Sequence, residues 1–294
     1  MYTPSGPVGG LLRLCIGRPI FFIVPVIVAL VVGGSFDLFG ISNTKQDLAG
    51  NYYPYKCGGL PISYAFDDGY QNVYEEALPV IEKVNREYSL NLTATAYVTV
   101  NLIGSEGHMS LDQLKKLSGK GWEIGSHSLT HPNLLALSAQ DQQNEIAGSR
   151  KWLEERGFKV FSFASPYGEL GPSALDIVKK SYYAHRTNVE GLNDIPLKDP
   201  AKDLYELKTV FYEGDMKFDK IQAWVDKAFA EGKYLIISFH RVTNKDKVSV
   251  DEKPYTTDIK DFEKLTEYII SKSKDYKVVC SNGMPTDLPG LPLK

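Results

Sequence analysis

From Leu60 onward, segments with the pattern of β-strands alternate with segments with the pattern of α-helices, and this alternation constrains the fold most. Strands and helices that alternate at this interval predict a parallel sheet, because each helix returns the chain to the start of the next strand. Six or seven such units in about 225 residues predict an α/β barrel smaller than the eight-stranded kind. The predicted strands are 60–66, 93–100, 122–128, 159–166, 182–187, 234–240 and 276–281, and the predicted helices are 74–88, 109–121, 138–156, 173–180, 218–231 and 258–272.

Polar residues stand where five of the predicted strands end. In a βα barrel the carboxyl ends of the strands form one mouth, where chemistry takes place. We therefore expect these polar groups to converge there. They are Asp67 and Asp68 after the first strand, His127 and His131 after the strand that begins at Trp122, Tyr167 in the turn Pro166-Tyr167-Gly168, Arg186, and His240.

Three of these residues could hold a metal ion. His127 and His131 are four residues apart, and we expect them to face the same way on a helical turn. Two imidazoles and the carboxylate of Asp68 form a ligand set that leaves positions open for water and substrate. Taken singly, some of the residues at the strand ends have structural interpretations. Asp67-Asp68-Gly69 is typical of a solvated turn, and His240 could be a hydrogen-bonded structural residue.

The ordered motifs AFDDGY (65–70), SHSLTHP (126–132), ASPYG (164–168) and ISFH (237–240) resemble those of the polysaccharide deacetylases, carbohydrate esterase family 4. The resemblance covers about Leu60 to Met284. It implies a distorted (β/α)7-like barrel and a metal-dependent hydrolase that removes acetyl groups from N-acetylated sugars. By similarity, Asp68, His127 and His131 match the metal ligands, Asp67 the general base and His240 the general acid. Tyr167 lies where the family uses a backbone N–H to bind the oxyanion.

The resemblance implies a divalent ion in this site. Zinc is the ion we expect, with cobalt, nickel or manganese as alternatives, because histidine and carboxylate ligands accept several metals and availability often decides between them.

Two departures from the family pattern bear on the site. Many members carry an arginine, which orients the catalytic aspartate, two residues before the proline of the third motif; here that position is Ala164. We hypothesise that Arg186 makes this contact with Asp67 instead. The Asp-Trp of the usual fourth motif is also missing, and we interpret Trp122, Trp152 and Trp224 as core residues rather than sugar platforms. The wall of the substrate cleft is therefore unassigned.

The N-terminal segment has a different character. Eighteen residues between Arg18 and Asp37 carry no charge and include the apolar run IFFIVPVIVALVV (20–32). The run fits the core of a cleaved signal peptide, and the uncharged stretch is just long enough for an uncleaved membrane anchor. Because Arg13 and Arg18 precede it, both interpretations place the remaining chain outside the cytoplasm. We expect an anchor or signal at 1–35, a linker at 36–58, the barrel domain at 59–285 and a tail at 286–294.

Charge and cysteine content limit the possible partners. The net charge is −3 and no Lys/Arg tract occurs, so nothing suggests a nucleic-acid partner. Cys57 and Cys280 could form a disulfide in an oxidising compartment or remain free thiols.

The leading prediction is a metal-dependent N-deacetylase that acts on an N-acetylglucosamine-containing polysaccharide of a cell wall or exopolysaccharide. The alternatives are a deacylase of a small amide and a non-catalytic carbohydrate-binding protein that kept the fold. The missing arginine favours the last of these, whereas the complete set of acids and histidines argues against it.

Overall fold

The computed structural model describes residues 62–195 and 197–275, with side chains as far as residue 272. Within these residues seven parallel strands close into a barrel in the order in which they occur along the chain. The strands are β1 (Ile62–Phe66), β2 (Thr95–Val98), β3 (Glu123–Ser126), β4 (Ser162–Ala164), β5 (Ala184–Glu190), β6 (Leu207–Phe211) and β7 (Leu235–Phe239). The α/β barrel predicted from the alternating pattern is confirmed.

The first and last strands pair with each other and so close the barrel. β1 pairs with β2 on one side and with β7 on the other, in register from Ile62 opposite Leu235 to Phe66 opposite Phe239. Because all seven strands run in one direction, their carboxyl ends meet at a single rim. The loops that leave this rim carry the residues predicted to form the site.

Helices connect the strands and cover the outside of the barrel. They are α1 (Leu78–Tyr88), which continues from a π-helical turn at Val73–Ala77, α2 (Leu111–Gly119), α3 (Ala139–Glu154), α4 (Pro172–Ser181), α5 (Pro200–Asp203), α6 (Phe218–Glu231) and α7 (Ile259–Asp275). Ser110 starts α2 in a capping box with Gln113, in which each side chain accepts a hydrogen bond from the other residue's backbone N–H. Ser138 starts α3 by accepting a bond from the Asp141 N–H.

Side chains along the strands alternate between the barrel interior and the helical layer. Phe66 faces the helices and stacks between Trp122 and Phe239, with ring centroids 5.6 and 5.2 Å away. Ala65 points the opposite way and joins a separate small cluster with Tyr97. Trp122 is buried, as predicted, and Trp152 and Trp224 are partly buried against the same core.

Some of the strands were not predicted from the sequence. β6 was not recognised, and the barrel reaches seven strands with 207–211 rather than with the predicted strand 276–281, which lies outside the described residues. A small parallel sheet after the barrel, β8 (Arg241–Thr243) with β9 (Thr256–Asp258), was also not predicted. Both β8 and β9 are three residues long, too short for a period of two to stand out.

Several predictions concern parts of the chain outside the described residues. These are the N-terminal anchor or signal, the linker, the C-terminal tail and the alternatives for Cys57 and Cys280. In the part of the chain that the structure describes, no helix combines the length and the apolar character needed to cross a bilayer.

Candidate active site

The predicted site residues come together at the carboxyl rim of the barrel. They line one cavity of about 500 Å³, to which the loops after β1, β3, β4 and β7 and the strand β5 contribute. The predicted residues in its lining are Asp67, Asp68, His127, His131, Tyr167, Arg186 and His240. The convergence expected from the strand ends is therefore present in the structure.

The turn after β1 sends its two carboxylates in different directions. The Asp67 N–H still donates to the Phe239 carbonyl oxygen (2.8 Å), so the sheet pairing extends to this residue. Asp68 and Gly69 then both adopt positive φ angles, 66° and 77°. A left-handed aspartate is an uncommon conformation of a kind that often occurs at functional sites. The chain thus reverses immediately after Asp67, which keeps Asp67 buried and leaves Asp68 facing the cavity.

Asp68, His127 and His131 form a cluster suited to a metal ion. Their candidate ligand atoms all lie within 4.8 Å of one another. The Asp68 Oδ1 atom is 3.5 Å from His127 Nε2 and 3.3 Å from His131 Nε2, and it is buried without a hydrogen-bond partner among the described residues. A buried carboxylate oxygen between two imidazole nitrogens fits a divalent cation, which would satisfy all three.

The surroundings of His127 hold it ready for such an ion. Its Nδ1 lies 2.7 Å from the Ala164 carbonyl oxygen, so the proton belongs on Nδ1 and Nε2 faces the cluster with its lone pair. Burial lowers the pKa of His127 despite the nearby carboxylates, which keeps the ring neutral. A neutral imidazole is the form that coordinates a metal.

The two histidines do not reach the cluster by way of a helical turn, so that premise was wrong. Ser128 and His131 instead both have positive φ angles, 67° and 62°, which fold the loop back on itself. Glu145 of α3 holds the loop by accepting bonds from the Leu129 and Thr130 N–H groups, both at 2.9 Å. Glu145 was not predicted from the sequence, because its role depends on how α3 packs beneath the loop.

Arg186 makes the contact with Asp67 that we hypothesised. Its Nη2 atom lies 2.7 and 2.6 Å from the two carboxylate oxygens, and its side chain is 1% exposed. The guanidinium lies between the rings of Tyr97 and Phe211, 5.4 Å from each centroid. In the sheet Arg186 is the register partner of Ala164, so the arginine comes from the adjacent strand at the level of the usual position.

This ion pair determines the charge state of Asp67. Burial by itself would raise the pKa of the carboxyl, but the positive charge of Arg186, followed by that of His240, holds the pKa below its usual value. Asp67 is therefore an ionised carboxylate that can accept a proton.

His240 is held on the other side of Asp68 by an acid that was not predicted. Its Nδ1 lies 2.7 Å from Glu213 Oε2, and its Nε2 is 4.0 Å from Asp68 Oδ2. Burial opposes a charge on the ring, but the hydrogen bond and charge of Glu213, with the two aspartates, raise the pKa of His240 to about 9. Glu213 went unnoticed because it follows β6, the strand that was not recognised.

Tyr167 lines the cavity and belongs to a turn with left-handed backbone angles. Tyr167 and Gly168 have φ angles of 57° and 69°. Among the described residues no acceptor is found for the Tyr167 N–H. Its side chain is 60% exposed and meets the ring of His131 edge-on, with centroids 4.7 Å apart.

Comparison with known proteins finds a family that part of the chain resembles. Residues 58–185 match the family model described as polysaccharide deacetylase. This part of the chain is therefore similar to the polysaccharide deacetylases. The match ends one residue before Arg186, so Arg186, Glu213 and His240 lie beyond the matched residues.

Two curated relatives of this chain come from Bacillus subtilis. The protein YxkH, which carries the name of a polysaccharide deacetylase, is 31% identical over 123 residues, 42% of each chain. The peptidoglycan-N-acetylmuramic acid deacetylase PdaA is 31% identical over 114 residues, which cover 38% of this chain and 34% of PdaA. The chain therefore spans less than half the length of either relative.

A solved structure is similar to part of this chain. The Streptococcus pyogenes deacetylase PplD in complex with acetate is 25% identical, with a TM-score of 0.47, over 55% of this chain and 68% of that one.

Proposed function

We propose that this protein is a metal-dependent N-deacetylase that hydrolyses the acetamido groups of an N-acetylated polysaccharide. One observation carries the proposal: a buried, ionised Asp67 and a protonated His240 flank the cluster of Asp68, His127 and His131 inside one cavity. Hydrolysis of an amide needs a base, an acid and a polarising group around a single carbonyl, and this cavity supplies a candidate for each.

The cluster supplies the place for the metal. Asp68, His127 and His131 would hold a divalent ion with open positions. When bound, such an ion lowers the pKa of water and polarises a carbonyl oxygen.

The remaining side chains move the protons. Asp67 accepts a proton from the attacking water, and Arg186 keeps its carboxylate ionised and oriented toward the cavity. The bond between the acetyl carbon and the nitrogen then breaks, and His240 donates a proton to the departing nitrogen. The products are acetate and a free amino group. Asp67 takes up one proton from water and His240 gives one to the nitrogen, so no further reactant is needed.

The developing negative charge on the acetyl oxygen has a candidate donor in the backbone. Tyr167 belongs to the cavity lining, and its turn is held by bonds from Gly168 N to Ser165 O (3.0 Å) and from Glu169 N to Pro166 O (3.3 Å), so its N–H is the donor we assign to this charge. Removal of one donor of this kind typically costs about 10²–10³ in rate.

The names of the curated relatives support a proposal for the substrate class. The curated relatives are named as deacetylases of polysaccharide and peptidoglycan, and we assign an N-acetylglucosamine-containing cell-wall or exopolysaccharide to this chain by the same chemistry. The Asp67–Arg186 pair removes the feature that favoured a non-catalytic carbohydrate-binding protein, since the orienting arginine is supplied by β5.

The proposal is tested by acetate release from N-acetylglucosamine oligomers. Full-length protein purified in detergent should release acetate with Zn²⁺ or Co²⁺ and should lose this activity with a chelator. Asp67→Asn should lower the rate about 10²-fold or more, because the amide cannot accept the proton. Asp112→Asn, an exposed position on α2, is the matched control and should keep the wild-type rate. Equal acetate release by wild type and Asp67→Asn would rule out the mechanism.

We propose further that the domain acts outside the cytoplasm, anchored or released by the uncharged stretch 19–36. Protease added to intact cells should digest the domain if it is anchored outside, and the domain should appear in the medium if the segment is cleaved. A domain protected in intact cells and accessible only after lysis would contradict this placement.

A further inference from the structure

Tyr255 is an exposed aromatic residue in the lining of the active-site cavity that the catalytic scheme does not use. It ends a short 3-10 turn (Lys253–Tyr255) directly before β9, and its side chain is 53% exposed. Its ring meets His240 edge-on, with centroids 5.7 Å apart and an interplanar angle of 75°. A large aromatic surface left open beside a proton donor indicates a binding surface rather than a packing role.

The backbone around Tyr255 is firmly held, so the ring is positioned before any ligand binds. The Tyr255 N–H and the Thr256 hydroxyl both donate to the Glu252 carbonyl oxygen, at 3.0 and 2.8 Å. Thr256 pairs with Arg241 across the β8–β9 sheet. Arg241 in turn forms an ion pair with the Glu252 side chain (2.9 Å). A binding group fixed in advance loses little conformational entropy when a ligand binds.

Tyr255 lies across the barrel mouth from Tyr167. Tyr167 follows β4. Tyr255 lies between β8 and β9 and contacts His240, which directly follows β7, and β4 and β7 are at least three strands apart in either direction around the barrel. Tyr167 contacts His131 and Tyr255 contacts His240, so the two exposed rings flank the catalytic groups from different sides. The cavity between them is thus bordered by aromatic surface at two places rather than closed around a small ligand.

We propose that Tyr255 forms a binding subsite for the sugar next to the one that loses its acetyl group. The apolar C–H face of a pyranose packs on an aromatic ring, while its hydroxyl groups stay in water at the cavity edge. This inference rests on the proposed deacetylase function and narrows its substrate to an oligomer of at least two sugars. A small amide held at the catalytic groups would leave Tyr255 uncovered.

Binding measurements test the subsite without relying on turnover. In an Asp67→Asn background, calorimetric titration should show that the N-acetylglucosamine tetramer binds more tightly than the monomer. Adding Tyr255→Ala should weaken tetramer binding at least fivefold more than monomer binding. Tyr255→Phe should retain tetramer binding, because the ring surface is preserved. Val250→Ala, 79% exposed in the same segment and absent from the cavity lining, is the control.

The kinetic experiment separates this inference from the proposed function. With the wild-type background, Tyr255→Ala should raise the KM for the tetramer at least fivefold. If acetate release depends on Asp67 but Tyr255→Ala binds the tetramer like wild type, the subsite is wrong and the deacetylase function stands. If no acetate is released but tetramer binding still depends on the Tyr255 ring, the function fails and the subsite stands. A melting temperature unchanged by Tyr255→Ala excludes misfolding as the cause of weaker binding.

Discussion

At the scale of residues, the adjacent acids Asp67 and Asp68 acquire different partners from a single backbone reversal. Asp67 stays in line with β1 and reaches Arg186 in the barrel interior, whereas Asp68 has a left-handed backbone and faces two histidines. Two neighbouring carboxylates would repel each other if they shared one environment. Here the arginine offsets the charge of Asp67, and the cluster leaves Asp68 ready for a cation.

Removal of Arg186 should therefore affect both stability and rate. Arg186→Ala leaves the Asp67 carboxylate buried and unpaired, which we expect to cost about 3–5 kcal/mol of unfolding free energy. It should also lower kcat about 10²-fold, since Asp67 loses its orientation. Urea denaturation and initial rates measure the two effects. A variant with wild-type stability and rate would show that the pair has neither role.

The register of the sheet allows a stricter test of the arginine. Ala164 and Arg186 are paired in neighbouring strands, so an arginine at 164 could reach Asp67 from the adjacent strand. The double variant Ala164→Arg/Arg186→Ala should recover part of the stability and kcat lost in Arg186→Ala. Ala164→Arg alone should be destabilising, because it places a second cation in a filled interior.

Glu213 should act on His240 through both its charge and its position. Glu213→Gln keeps a hydrogen-bond acceptor near Nδ1, whereas Glu213→Leu removes it, so we expect the loss of kcat to be greater for leucine than for glutamine. Glu190→Gln on the exposed end of β5 is the control. Steady-state rates on an N-acetylglucosamine oligomer measure the kcat of each variant. Equal kcat values for all variants would exclude Glu213 as a positioning residue.

At the scale of elements, β6 shows what the sequence pattern hides and what the strand then contributes. Its sequence, LKTVF, has two adjacent polar residues, Lys208 and Thr209, so the segment shows neither a continuous apolar run nor a regular alternation. Once in place, β6 ends in Phe211, whose ring stacks on His240 (5.4 Å) and borders the Arg186 guanidinium. Glu213 follows directly. An undetected strand therefore concealed two residues that contact the catalytic groups.

A buried acid joins β2, β3 and β4 inside the fold and should make stability depend on pH. Glu123 accepts bonds from the Ser162 N–H (3.0 Å), the Ser162 hydroxyl (2.7 Å) and the Thr95 hydroxyl (3.2 Å). Burial raises its pKa to about 7, above the ordinary value of 4.5. The folded state therefore binds the proton more tightly than the unfolded chain does. The contribution of protonated Glu123 to the free energy of unfolding is fully present below pH 4.5 and is lost as the pH rises through about 7.

The neutral analogue Glu123→Gln should not show this loss. Between pH 5 and pH 8 its unfolding free energy should improve relative to wild type, by on the order of 1–3 kcal/mol. Denaturation curves at several pH values measure the difference, with the exposed Glu155→Gln as the control. Parallel pH profiles for wild type and Glu123→Gln would contradict the assignment.

At the scale of the whole molecule, barrel closure brings distant parts of the chain to one site. Asp68 and His240 are 172 positions apart in the numbering, yet their side chains approach to 4.0 Å because β1 pairs with β7. The metal cluster joins two separate loops in the same way, so an ion bound there links them in the folded state only. A ligand that binds the native state alone stabilises it by mass action.

We therefore expect the metal to raise the melting temperature. Saturating Zn²⁺ at about 100 times its dissociation constant adds about 2.7 kcal/mol to the unfolding free energy, and a chelator should reverse the shift. His131→Ala should lose both the shift and the bound metal. His108→Ala, which lies outside the cluster and outside the cavity lining, should retain both. Full metal content in His131→Ala would remove His131 from the ligand set.

The fold class and most of the candidate site could be predicted from the sequence. Alternating periodicities revealed six of the seven barrel strands, since buried strands and amphipathic helices bury apolar side chains at fixed spacings. Polar residues at the strand ends could be placed in one mouth because parallel strands share a carboxyl edge. The contact between Arg186 and Asp67 could also be predicted, because the family pattern places an arginine where this chain has Ala164 and Arg186 was the nearest basic candidate.

The contacts through which these residues meet depend on the tertiary structure. Asp68, Ser128 and His131 have positive φ angles, which their residue types do not reveal in the sequence. These angles place the side chains of the metal cluster. Glu145 supports the histidine loop, Glu213 contacts His240 and Tyr255 borders the mouth, each through contacts between segments far apart in the chain. Periodicity reports what a segment buries, whereas the partner of a polar side chain depends on which other segments barrel closure brings beside it.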